Sequence, residues 1–81
     1  MRSSLVFTAH ARTMMHERGI QEDWVKSTVL DPDMTEQRDD DEVHYLKKIP
    51  QKGGKILRVI INPTTDPNRV ITVFFDGRVQ L

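Results

Sequence analysis

Residues 55–76 read KILRVIINPTTDPNRVITVFFD, and this stretch decides the fold. Two runs rich in Val, Ile, Leu and Phe, Lys55 to Asn62 and Arg69 to Asp76, flank the turn-forming segment Asn62-Pro63-Thr64-Thr65-Asp66-Pro67-Asn68. β-Branched and aromatic side chains fit a pleated, half-buried surface, whereas proline cannot donate to a strand ladder. The spacing predicts two strands, and so short a connection makes them antiparallel. Alternation sorts their side chains into two faces: Leu57, Val59 and Ile61 stand against Ile56, Arg58, Ile60 and Asn62, and Ile71, Val73 and Phe75 against Val70, Thr72, Phe74 and Asp76. The uniformly apolar sets are expected to meet other elements, and the mixed sets to share the opposite face.

Upstream, Gln51-Lys52-Gly53-Gly54 marks a hairpin turn and Val43 to Ile49 a further strand. Thr35 to Arg38 reads as a short edge strand, returned through the solvated turn Asp39-Asp40-Asp41-Glu42. Before residue 34 the period is helical. Thr8 is placed to cap a helix over Ala9 to Arg18, with Gly19 at the position that favours a left-handed backbone. Ala11, Met14 and Met15 share one face of it, bordered by His10 and Arg18. A second helix over Gln21 to Leu30 gathers Trp24, Val25, Thr28 and Val29 on one side and stops at Asp31-Pro32. Gln21 is a weak N-cap for it, while Glu22 and Asp23 suit its first turn. The expected class is α+β, two N-terminal helices packed on one face of a three- to four-stranded antiparallel sheet.

A chain of 81 residues is large enough for one core and too small for two, so residues 1–81 are expected to form a single domain with its core over about residues 7–76. Without cysteine, neither disulfides nor thiolate metal sites brace it, which fits a reducing cytosol. The start MRSSLVFTAHAR has no continuous apolar h-region and no run reaches the length of a membrane span, so the expected location is cytoplasmic with no membrane partner. Twelve basic and twelve acidic residues cancel, which argues against coating nucleic acid through bulk charge. The distribution is uneven: ten of the twelve acids lie at or before Glu42, whereas Lys47, Lys48, Lys52, Lys55 and Arg58 follow with no acid among them. Lysines of this kind either keep strand edges soluble or line a local basic surface. On the mixed face, Ile56, Ile60, Val70 and Phe74 around Arg58 and Thr72 would leave a monomer with an apolar patch, the mark of a partner, a ligand or a homodimer.

Phe7-Thr8-Ala9-His10-Ala11-Arg12, then Met15, Glu17-Arg18-Gly19-Ile20, Val25, Asp31-Pro32, Leu57-Arg58-Val59 and Val70-Ile71-Thr72-Val73 together resemble the bacterial family termed domain of unknown function 4258. The resemblance runs from Phe7 to Phe75. By fold that family is similar to the RelE and BrnT toxins, within the wider barnase, EndoU, colicin and RelE group of metal-independent ribonuclease folds. The resemblance implies two helices on an antiparallel sheet, a ribonuclease toxin as the activity and an antitoxin as its protein partner. The chain departs from those toxins in being neutral rather than basic.

Metal-independent RNA cleavage requires a base for the 2′-hydroxyl proton, an acid for the leaving oxygen and fixed cations on the phosphate. Candidate catalytic residues are His10, for its intrinsic pKa, Arg18 and Arg58, as bidentate phosphate clamps, and Thr72, as a hydrogen-bond donor. Lys47, Lys48 and Lys55 are candidate RNA contacts. Each has a structural alternative: His10 fixing the helix start, Arg18 opposing the helix dipole, Thr72 as an ordinary strand residue, and Arg58 paired with an acid such as Asp76. His10 and Arg18 flank the face that packs on the sheet while Arg58 and Thr72 project from the other, so all four meet only around an edge or strand end. No metal or cofactor is expected, since His10 and His16 diverge on their helix, the acidic turn lacks calcium-loop spacing, and no Gly-rich loop precedes a helix. Two functions remain, a RelE-like ribonuclease and a non-catalytic interaction or dimerisation module using the open sheet face.

Overall fold

The computed structural model describes residues 5–81 and is α+β. The expected absence of a leader reaches into residues 1–4, which lie outside the described residues. The elements are β1 (Leu5–Phe7), α1 (Ala9–Arg18), α2 (Glu22–Leu30), β2 (Met34–Asp39), β3 (Glu42–Ile49), a single 3-10 turn (Pro50–Lys52), β4 (Lys55–Asn62) and β5 (Asn68–Phe75). Five strands form one sheet in the order β1-β5-β4-β3-β2. Its sequential hairpins are antiparallel, but β1 runs parallel to β5, so the sheet is mixed and larger than the expected three- to four-stranded antiparallel one. The additional strand is three residues long, too short to show alternation, and its parallel pairing is permitted by the long connection to β5, which runs through both helices and the other three strands.

Local chemistry explains the helix ends. Thr8 Oγ1 accepts a hydrogen bond from the Ala11 backbone N–H at 3.0 Å and donates to the Ile71 carbonyl at 3.0 Å, so one hydroxyl caps α1 and ties it to β5. At the other end Gly19 takes φ 65°, and the Gly19 and Ile20 N–H groups return to the His16 and Met15 carbonyls at 3.4 and 2.9 Å. Ile20, just past this turn, is buried. Gln21 makes no side-chain cap to α2, as its chemistry foretold.

One face of the sheet meets the helices. Phe7, Ala11, Met15, Ile20, Val25, Ile49, Leu57, Val59, Ile61, Val70 and Val73 form its buried cluster, with Met14, Trp24, Val29, Tyr45 and Phe75 packed against it. Each fully buried Leu or Val contributes roughly 1.5–3 kcal/mol. Ile71 was expected in this set and Val70 on the opposite face; the structure reverses them. Between β4 and β5 the register slips, with Ile60 opposite Thr72 but Ile61 opposite Val70, so Ile71 is the extra residue of a β-bulge. Val70 is fully buried and Ile71 is 36% exposed.

Burial on the far face is also deeper than alternation implied. The register places Leu46 beside Arg58 and Lys48 beside Ile56, and Leu46 and Ile56 are both buried outside the helix-side cluster. Of the expected apolar patch, Ile56 and Val70 are buried, Ile60 and Phe74 are half-buried, and the displaced Ile71 is exposed. Among the described residues, no helix is long and apolar enough to cross a membrane.

The bulge separates two variants that simple alternation ranks the other way. Val70→Ala is expected to cost about 2 kcal/mol in denaturant unfolding and Ile71→Ala less than about 1 kcal/mol, from the methyl groups each removes from packed surroundings. Equal losses at the two positions would contradict the register.

Candidate functional site on the helix-free sheet face

Arg58 lies in the middle of β4, where alternation turns it away from the helices, and its neighbours across the sheet are Leu46 and Phe74. Its side chain is 6% exposed. A guanidinium cannot shed its charge, so burial demands acceptors. Three are supplied from three other segments: Nε donates to Asp76 Oδ2 at 2.9 Å, and Nη1 donates to Glu36 Oε1 at 3.1 Å and to His44 Nδ1 at 2.6 Å. Nη2 makes no hydrogen bond among the described residues, and since no buried side-chain nitrogen or oxygen there lacks a partner, it reaches solvent.

The contact with Arg58 fixes the state of His44. Arginine offers no lone pair, so Nδ1 must be the acceptor, which leaves the proton on Nε2 to be donated to Glu42 Oε2 at 2.6 Å. The imidazole is thus a neutral link between a carboxylate and a guanidinium. Two further arginines close the cluster. Arg38 donates through Nε and Nη2 to Glu36 Oε1 at 3.1 and 2.9 Å, and Arg78 donates through its backbone N–H and Nε to Asp76 Oδ1 at 3.0 and 3.3 Å. Three carboxylates, Glu36, Glu42 and Asp76, face three guanidiniums, Arg38, Arg58 and Arg78, around His44.

Both Glu36 and Asp76 respond to these donors. Asp76, 3% exposed, is held below the ordinary aspartate value, first by the Arg78 backbone N–H and then by the Arg78 and Arg58 side chains, against a burial that acts the other way. A lowered folded-state pKa adds stability above the unfolded value of 3.8 and loses it as pH falls through the lower folded value, so this carboxylate supports the fold at neutral pH and fails only in strong acid. Glu36 is lowered chiefly by Arg38 and then by Arg58.

Of the residues selected from sequence, Arg58 and Thr72 occupy this face, Thr72 half-buried and opposite Ile60. His10 and Arg18 are exposed on the first and last turns of α1 and make no hydrogen bond or ion pair to either, among the described residues. Lys47 is turned to the helix side, where its Nζ donates to the Asp31 carbonyl at 2.8 Å and pairs with Asp31 Oδ2 at 3.6 Å. Lys48 is exposed on the face of Arg58, its backbone N–H held by Asp33 Oδ2. Lys55 lies 5.8 Å over the Phe75 ring, beside a cleft of about 490 Å³ lined by Ile56, Asp76 and Val79 among others. Asp76 was anticipated as the partner of Arg58; Glu36, Glu42 and His44 were not. The available signal was parity: Glu36 and Arg38, Glu42 and His44, and Asp76 and Arg78 are pairs two apart in or beside β2, β3 and β5. No group of three or more His, Cys, Asp or Glu side chains among the described residues could hold a metal ion.

Removing one partner of a buried ion pair strands the others. Arg58→Met is expected to lower stability by about 3 kcal/mol, and Arg58→Lys to recover less than half, because an ammonium cannot fork between Asp76 and Glu36. A neutral Arg58→Met, by denaturant midpoint at constant slope, would contradict the pairing.

Comparison with known proteins adds one positive result. No curated protein and no solved structure matches the chain. The family model described as "Domain of unknown function (DUF4258)" matches residues 7–75, from the last residue of β1 to the last of β5, which takes in Glu36, Arg38, Glu42, His44 and Arg58 and stops just before Asp76. The chain belongs to that family.

Proposed function

We propose that the chain is a metal-independent ribonuclease, RelE-like as its resemblance implies, which cleaves RNA on the sheet face away from the helices. The observation that carries this reading is the series Glu42–His44–Arg58 beside Thr72 on that face. Proton-transfer groups next to a fixed guanidinium are what the reaction needs. Arg58, through the solvent-facing Nη2, contacts the scissile phosphate, and Thr72 hydrogen-bonds one of its oxygens. His44, oriented by Glu42, takes the 2′-hydroxyl proton once substrate draws Arg58 off Nδ1; the 2′-oxygen attacks the phosphorus, the P–O5′ bond breaks, and the leaving 5′-oxygen takes its proton from water at this open face. Lys48, exposed on the same face, contacts the RNA backbone, and an antitoxin covers the face to silence it. In this reading the acid–base role passes from His10 to His44, and Arg18 serves the end of α1 rather than the phosphate.

A closed network favours a second reading. Every carboxylate and guanidinium of the cluster already has a partner within the chain, which suits a rigid, non-catalytic surface that docks a protein or a second copy through Ile60 and Phe74. For that module, Phe74→Glu abolishes oligomerisation or partner capture and leaves the helices folded. Unchanged sedimentation and pull-down would contradict it.

The ribonuclease reading is tested with purified protein and single-stranded RNA in the presence of a chelator. Cleavage is expected, falling by roughly 100-fold or more in His44→Gln, the range associated with loss of a general base, and less than about twofold in His10→Ala. Wild-type protein that leaves RNA intact and does not arrest growth on expression would overturn it.

A further inference from the structure

One oxygen in the cluster carries an unusual load. Glu36 Oε1 accepts from Arg38 Nε at 3.1 Å, Arg38 Nη2 at 2.9 Å and Arg58 Nη1 at 3.1 Å, while Oε2 accepts from no donor among the described residues. Two guanidiniums therefore converge on a single anionic oxygen. That is the donor set a phosphate oxygen calls for, since planar arginine forks match tetrahedral oxyanions better than lysine does.

The two arginines are held differently. The Arg58 side chain is 6% exposed and remains anchored by Asp76 without any help from Glu36. Arg38 is 53% exposed and Glu36 28%, and both belong to the edge strand β2, whose outer side has no neighbour in the sheet. Glu36 can thus rotate toward water without opening the core, leaving Arg58 in place and Arg38 able to swing. Both arginines hold the Glu36 carboxyl below its ordinary value, so at neutral pH it is an anion competing for them.

We propose that Arg38 and Arg58 form an oxyanion site for a phosphate group, and that Glu36 occupies this site as an internal competitor which the incoming phosphate displaces. Its physiological ligand, an RNA phosphodiester, rests on the ribonuclease reading; the site itself rests on the two arginines and the carboxylate between them. Glu36 then sets the affinity threshold of the face. A neutral chain keeps weak anions out, and only a ligand with further contacts, such as Lys48 and Thr72, overcomes the carboxylate.

The test is titration of inorganic phosphate into isotope-labelled protein at neutral pH, following the Arg38 and Arg58 Nε–H resonances. Glu36→Gln is expected to bind phosphate roughly tenfold more tightly than wild type, a gain of one decade in the dissociation constant, with shifts at both arginines. Glu22→Gln, which removes an exposed carboxylate paired with Lys26 elsewhere, controls for net charge and is expected to match wild type. Arg38→Ala in the Glu36→Gln background is expected to return the affinity to the wild-type level. Equal affinities in wild type and Glu36→Gln, or an equal gain in Glu22→Gln, would overturn the site. Tighter phosphate binding by Glu36→Gln, together with a wild-type protein that cleaves no RNA, supports the oxyanion site while contradicting the nuclease, so the two failures are distinguishable.

Discussion

A buried guanidinium costs several kcal/mol to desolvate and persists only where its charge is met in place. Arg58 imposes that constraint on this chain. Its three acceptors come from β2, from β3 and from the residue that follows β5, so satisfying one side chain fixes the edge strand, the central hairpin and the start of the C-terminal segment together. The Asp76 N–H bond to the Ile56 carbonyl at 2.8 Å extends the β4–β5 ladder past the end of β5 and holds that carboxylate at the correct depth. Arg78 then caps it from outside.

The two faces of the sheet are consequently built on different physics. On the helix side the driving force is apolar burial, non-directional and tolerant, through Leu57, Val59, Ile61, Val70 and Val73. On the other side Leu46 and Ile56 are buried beside a directional polar network, in which no buried side-chain nitrogen or oxygen among the described residues lacks a partner. Such a network fixes geometry more than it adds net stability. A face held rigid by charge pairs, with one guanidinium nitrogen open to water, is suited to recognising a charged ligand.

Much of the fold was legible. Both helices, their faces, the Thr8 cap and the Gly19 terminus followed from spacing and local chemistry, and β4 was bounded as observed. β1 was not legible, because three residues carry no period and their parallel partner lies more than sixty residues away. The exchange of Val70 for Ile71 was hidden for another reason: a bulge adds one residue and inverts parity beyond it, and Ile and Val are interchangeable to any hydrophobic pattern. In the site, Arg58 stood out as a charge amid Ile and Val, and Asp76 as its acid. His44 did not, since β3 mixes polar and apolar residues on both faces and only its register against Ile60 and Glu36 reveals where the ring lies. His10 drew attention through its pKa class alone, but its place on α1 is solvent-facing.

The cluster is held together by Arg58 donating to His44, and that contact permits one imidazole tautomer. Long-range proton–nitrogen NMR of the His44 ring at neutral pH reads it directly. A protonated Nε2, an unprotonated hydrogen-bonded Nδ1 and a slowly exchanging Arg58 Nε–H are the results the network requires. A proton on Nδ1, or a ring averaging between both tautomers, would show that Arg58 is not held by His44 and that the network does not form.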